Sequence, residues 1–217
     1  SYNEILSFKD LFLNNFSSKH FIIFGINKLN PRTDSFYNSM IVTNNKFEVI
    51  QIYNKRKLVP FGEFLPFEKI LNSFGFKKIT EGHGSFTKGE QDNNLIFEQF
   101  NILPLICYEI IFPNLIQKSS IDTNLIVNIS EDGWFGNTIG PDQHFSKSIF
   151  RAIENNTFLL RSANQGTSAI IDNKGNLLKK MNRNEAGNIE FEVPLIKSNK
   201  IKNDLIFFIL LITYLLI

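Results

Sequence analysis

Cys107 is the only cysteine among the 217 residues, and it closes the apolar run Ile102 to Ile106. A sulfur at the end of a buried strand is well placed to attack a carbonyl as a thiolate. It needs a base or a cation nearby to do so. Glu109 stands two residues on, on the same side as Cys107 if the strand continues. The plain alternative is a small buried hydrophobe beside a surface carboxylate. A second loop, Tyr53 to Glu63, reads YNKRKLVPFGE. Its Lys55 could stabilise a developing oxyanion, with Glu63 as a carboxylate in the same turn. An ordinary basic surface turn has the same composition. A third loop, Asn128 to His144, reads NISEDGWFGNTIGPDQH and carries the only tryptophan, Trp134, beside Phe135. Aromatics on a loop suit an apolar ligand such as an acyl chain. Folding back into the core is the competing outcome.

All three loops follow apolar runs, as sites in α/β folds usually do. Helical spacing of Phe8, Leu11, Phe12 and Phe16 predicts a helix over Ser7 to Ser17. Strands are expected at His20–Ile26, Ser39–Thr43 and Phe47–Tyr53, with a turn at Asn44-Asn45. A short helix is expected at Phe67–Phe74 and a long polar loop at Lys77–Asn93. Strands follow at Asn94–Phe100, Ile102–Ile106 and Leu125–Ile129, with a helix at Pro113–Ser119. Gln143–Thr157 has helical periodicity. The remaining strands are Phe158–Arg161, Thr167–Asp172, Leu177–Lys180 and Gly187–Val193, with a hairpin turn at Asn173-Lys174-Gly175. Elements alternate early and hairpins dominate later, which makes the class mixed α and β.

Composition narrows the function. Twenty-three basic residues face 21 acidic ones, so the net charge of +2 makes no case for nucleic acid. One cysteine forms no internal disulfide or CxxC metal site, and three scattered histidines do not suggest zinc. The 23 Phe are a general bias, so any single Phe is weak evidence. The start, Ser1-Tyr2-Asn3-Glu4, carries no initiator Met or signal peptide and reads as internal to a longer chain. The end, Leu205 to Ile217, is uncharged and apolar and reads as a membrane helix cut short.

Four segments together resemble the apolipoprotein N-acyltransferases of the nitrilase (carbon–nitrogen hydrolase) superfamily. YNKRKLVPFGEFLPFE is similar to their Tyr-x-Lys-x-x-Leu-Val-Pro-Phe-Gly-Glu segment, and PLICYEIIFP to their nucleophile strand. NISEDGWFGNTIGPDQHF is similar to their Asn-x-Ser-Asn-Asp-Ala-Trp-Phe-Gly loop with its Gly-Pro-x-Gln-His continuation. Arg151 to Gly175 is similar to the segment that follows. The four occur in the right order.

The resemblance implies an α/β fold, a nitrilase-like α-β-β-α sandwich without its first strand and helix, and a truncated transmembrane helix at the C-terminus. It divides the chain into a catalytic domain at 1–196 and the start of that helix at 205–217. It implies a Glu-Lys-Cys triad with Cys107 as nucleophile and Lys55 on the oxyanion. Glu63, Tyr108 and Glu109 are then further site residues, and Trp134 and Phe135 meet lipid. The implied partners are a phospholipid acyl donor, an apolipoprotein acceptor and the membrane, with no cofactor and no nucleic acid. The implied location is the bacterial inner membrane, with the catalytic domain on the periplasmic side. Lys197, Lys200 and Lys202 beside the apolar tail point the other way by the positive-inside rule. The family's Trp-Pro-Glu-like segment, which carries the triad's Glu, is not in this sequence. Glu131 stands where the family has Asn, and Gly133 where it has Ala. A soluble amidase and an inactive remnant are the alternative readings.

Overall fold

A computed structural model describes residues 7, 9–30, 35–67, 86–90, 94–117, 122–198, 209 and 212–214. The expected helix at Phe67–Phe74 beyond its first residue, most of the loop at Lys77–Asn93 and residues 1–4 lie outside them.

In chain order the elements are α1 (Lys9–Asn15), β1 (Phe21–Asn30), β2 (Ser35–Asn44), β3 (Val49–Asn54), β4 (Leu95–Phe97) and β5 (Phe100–Ile106). After a 3-10 turn at Cys107–Ile111 come α2 (Pro113–Gln117) and β6 (Leu125–Glu131). A second 3-10 turn, Gly133–Phe135, leads to α3 (Gly140–Asn155), β7 (Leu159–Asn164), β8 (Ser168–Ile171) and β9 (Leu177–Met181). Among the described residues β1-β2-β3 form an antiparallel three-stranded sheet. Strands β4 to β9 form a six-stranded sheet in chain order, parallel where β5, β6 and β7 meet.

Alternation along the strands builds the layers. In β5, Ile102 and Ile106 join Met40, Val42 and Tyr53 in a cluster between the two sheets. Leu103 and Leu105 point the other way, with Ile126, Leu159 and Ala152, towards α3. Successive side chains of a strand face opposite ways, so one central strand serves two cores. On the outer side of the small sheet, Phe12 of α1 packs edge-on against Phe47, 4.8 Å between ring centres. The order of layers is thus helix, sheet, sheet, helix.

The expected elements differ from the observed ones at a few informative places. Asn94–Phe100 is not one strand but a tight hairpin, with Phe97 paired to Phe100 and Glu98 at φ +45°. Glu-Gln is not turn chemistry, so no local signal marked the reversal. Gly187–Val193 forms no strand. Its apolar alternation is real, because Ile189 and Val193 pack on the core. Among the described residues the stretch has no ladder partner, and the chain beyond it is tied down by Ser198 N–H donating to the Thr123 carbonyl. Helix α3 begins at Gly140 with Pro141 in its first turn, ahead of the expected start at Gln143. At the C-terminus, residues 209 and 212–214 are helical. Among the described residues no helix is long and apolar enough to cross a membrane.

Candidate active site

Strand β5 ends at Ile106, and the chain turns at once into the 3-10 segment that starts with Cys107. Cys107 has φ +49°, in the left-handed region. That conformation costs a non-glycine residue roughly 1–2 kcal/mol, so neighbouring contacts must hold it. The thiol is half-buried, and Sγ lies 3.9 Å from the Glu131 carbonyl at the end of β6.

The strand does not continue through Glu109, which corrects the simple same-side expectation. Glu109 is not at the surface either; it is fully buried and folds back under the turn. Its Oε2 accepts from Ile106 N–H at 2.9 Å. Its Oε1 accepts from Tyr53 Oη at 2.8 Å, Arg56 N–H at 2.7 Å and Lys57 N–H at 3.1 Å. Burial pushes the Glu109 carboxyl up, and these hydrogen bonds pull against it. The same burial, and then the charge of Glu109, push the Tyr53 hydroxyl up, which keeps it a donor. All four contacts donate to Glu109, and an ionised carboxylate accepts them all. One side chain therefore ties the cysteine turn to the lysine loop, across sequence separations of 52 to 56 residues.

Lys55 is no surface turn residue: its side chain is 1% exposed. Its Nζ donates to both oxygens of Glu63, at 2.9 and 2.8 Å. Glu63 also accepts from Asn38 Nδ2 and from Val59 N–H, each at 2.8 Å. The loop is locked from behind by Gly89, whose N–H donates to the Lys55 carbonyl at 2.8 Å. A Cβ at Gly89 would fall 2.2 Å from the Asn54 carbonyl oxygen, so only glycine allows this approach. Tyr108 is half-buried and packs edge-on against Phe112, over which Lys57 Nζ lies at 5.5 Å.

The aromatic pair divides its roles. Trp134 is 66% exposed, and Ile139 nearby is 68% exposed. Phe135, 36% exposed, lies against the His144 ring, 5.4 Å between centres.

Residues 14–202 match the model of the carbon–nitrogen hydrolase family. The chain belongs to the carbon–nitrogen hydrolase family. It is similar to apolipoprotein N-acyltransferases of Rhizobium leguminosarum bv. trifolii, 39% identical over 76% of this chain, and Rickettsia typhi, 40% identical over 78%. Those matches cover 32% and 34% of the relatives, so the chain spans about a third of their length. Among solved structures it is similar in fold to a carbon–nitrogen hydrolase from Helicobacter pylori G27, with a TM-score of 0.64 at 14% identity. That match covers 85% of this chain and 65% of the other. It is similar also to an amidase from Nesterenkonia sp. AN1, with a TM-score of 0.58 at 16% identity, covering 84% and 66%.

The structure adds residues that no motif marks as functional. Asp132, His144, Arg161 and Asn128 form a buried polar cluster next to the cysteine turn. Arg161 donates to Asp132 Oδ2 at 2.6 Å and also to Asn128 Oδ1. Ser130 Oγ donates to Asp132 Oδ1 at 2.7 Å. A signal did exist: Asn128 and Arg161 interrupt the apolar strands LIVNIS and FLLRSA. A polar residue inside a buried strand is stable only with a partner.

The two departures from the acyltransferase pattern, Glu131 and Gly133, are one feature. Glu131 Oε1 accepts from Gly133 N–H at 2.9 Å, and Oε2 accepts from Asn164 Nδ2 at 2.6 Å. A Cβ at residue 133 would lie 2.7 Å from Glu131 Oε1 and 3.0 Å from Gln165 Oε1. The longer acid therefore occupies the space that an alanine methyl needs. Gly133→Ala alone should destabilise the protein by about 1 kcal/mol. Combined with Glu131→Asn, most of that cost should vanish. A double-mutant cycle in thermal unfolding reads the coupling; strictly additive effects would refute it.

Proposed function

We propose that this chain is the catalytic part of an apolipoprotein N-acyltransferase, with Cys107 as the nucleophile. On this reading residues 1–196 form the catalytic domain and 205–217 begin a membrane helix. The enzyme works at the bacterial inner membrane with this domain on the periplasmic side. The observation that carries the reading is the half-buried Cys107 turn, tied through Glu109 to the loop of the buried Lys55–Glu63 pair and lying 3.9 Å from the Glu131 carbonyl, ahead of the exposed Trp134. The similarity of 36–40% to relatives that bear this name supports it.

The Cys107 thiolate attacks an ester carbonyl of a phospholipid. Lys55 balances the oxyanion as the tetrahedral intermediate forms. The C–O bond breaks, the leaving alkoxide takes a proton, and a thioester remains on Sγ. The free α-amine of a diacylglyceryl-cysteine then attacks that carbonyl. An amide forms, the C–S bond breaks, the amine proton passes to the general base, and the thiolate is restored. Glu63 accepts four hydrogen bonds, Glu109 four, and Asp132 is paired with Arg161. All three serve as positioning groups, so the general base is another residue. The exposed Trp134 and Ile139 favour a long acyl chain over the small amide of a soluble amidase.

The experiment uses this chain alone and grafted in place of the matching third of the Rickettsia typhi relative. Each is incubated with phospholipid vesicles, and the intact mass is read for an acyl adduct. The graft should carry one hydroxylamine-labile acyl group on Cys107, Cys107→Ala should carry none, and the chain alone little. An adduct that persists in Cys107→Ala would overturn the reading.

A further inference from the structure

His144 sits in the first turns of α3 with its ring buried between two acceptors. Its Nδ1 lies 2.9 Å from Asp132 Oδ1, and its Nε2 lies 3.1 Å from the carbonyl oxygen of Cys107. Carboxylate and carbonyl oxygens only accept hydrogen bonds. A neutral imidazole donates from one nitrogen and presents a lone pair at the other. Whichever tautomer it took, one short contact would set lone pair against lone pair. Only a ring protonated on both nitrogens satisfies both oxygens.

Of the surrounding charges, Asp132 favours that state and the Arg161 guanidinium opposes it. Arg161 donates to the far oxygen of Asp132 at 2.6 Å and approaches His144 Nδ1 at 3.3 Å, the longer of the two nitrogen contacts. Asp132 thus stands between two cations. Burial raises its carboxyl, but the hydrogen bond from His144 and the charge of Arg161 outweigh that and hold it at about 2. Glu131, the other acid nearby, turns its carboxylate to Gly133 and Asn164. The Phe135 ring covers His144.

We propose that His144 is a positioning residue for the nucleophile, an imidazolium anchored on Asp132 that grips the Cys107 carbonyl. The grip holds the left-handed backbone that directs Sγ. The imidazolium puts a positive charge next to the turn, where it attracts the negative sulfur of the attacking form and offsets the Glu109 carboxylate folded under the same turn. The proposal rests on Cys107 being the nucleophile.

The first test is spectroscopic and needs no variant. In the full chain with 15N-labelled histidine, both ring nitrogens of His144 should give the shifts of protonated nitrogens at neutral pH, with slowly exchanging ring protons. A single unprotonated ring nitrogen would overturn the proposal, whatever Cys107 does with phospholipid. The second test is alkylation of Cys107, the only cysteine, by iodoacetamide. His144→Ala should slow it roughly 100- to 1000-fold, the size expected for losing a unit charge about 4–6 Å away at an effective dielectric near 20. His144→Gln, which keeps an N–H in reach of the Cys107 carbonyl but no charge, should recover only part of that rate. Folded variants that alkylate at the parent rate would refute the positioning role. Loss of the acyl adduct with an intact imidazolium would instead count against the acyltransferase reading.

Discussion

Lys55→Ala, made in the grafted acyltransferase, should slow thioester formation on Cys107 about 100- to 1000-fold, the usual effect of removing one oxyanion-stabilising group. The same change should also lower stability. Lys55 is 1% exposed, and its ammonium spans both oxygens of Glu63. Without it Glu63 retains Asn38 and the Val59 N–H as donors but no counter-charge. Breaking a buried pair from one side typically costs about 3–5 kcal/mol. The rate and stability effects are separable. Adding Glu63→Gln removes the stranded charge and should restore much of the stability while leaving the rate low. Single-turnover acylation and thermal unfolding on the two single variants and the double variant measure both. If Lys55→Ala acylates within a few-fold of the parent, Lys55 does not stabilise the oxyanion.

Asp132 carries the second large effect, on acid stability. Burial works to raise its carboxyl, but His144 and Arg161 hold it at about 2 against an ordinary 3.8. A carboxyl depressed in the folded state binds its proton later than the unfolded chain does. Its contribution is therefore complete above the ordinary value, and it drains away as the pH falls from there through about 2. The size is roughly 2 kcal/mol. Asp132→Asn should flatten the stability curve across that acid window. Asp132→Ala should do worse at neutral pH, by about 3–5 kcal/mol, because it strands the buried Arg161 guanidinium. Denaturant unfolding over a pH series reads both. An Asp132→Asn protein with the parent's slope below the ordinary carboxyl value would show that Asp132 does not carry this linkage.

Both effects arise from side chains that join distant parts of the chain, and this marks where sequence reading stopped. The loop Tyr53–Glu63 was legible as chemistry because a lysine and a glutamate flank a Pro-Phe-Gly turn. Nothing local told a buried Lys55 from a solvated one, since burial is set by Asn38 on β2 and Gly89 in a loop that comes later. The spacing of Glu109 to Cys107 points to the cysteine alone, yet its carboxylate also holds Tyr53, Arg56 and Lys57. Trp134 and Phe135 read alike in sequence. One is solvated and the other lies on His144, because the 3-10 turn at Gly133–Phe135 rotates successive residues by about a third of a circle.

The sequence by itself determined most of the strands, since alternation and apolar runs record burial in the order of residues, but not the Phe97–Phe100 hairpin or the unpaired stretch Gly187–Val193. It also determined the nucleophile candidate, as the only sulfur at the end of a buried strand, and, through four ordered segments, the family. Only the tertiary structure decided how the Cys107 turn is held. The cysteine's left-handed backbone, the Glu109 tie to the lysine loop and the Asp132–His144 support are contacts between residues up to 56 positions apart. Hydrogen bonds of that kind depend on where two strands end in space, and local composition does not encode it.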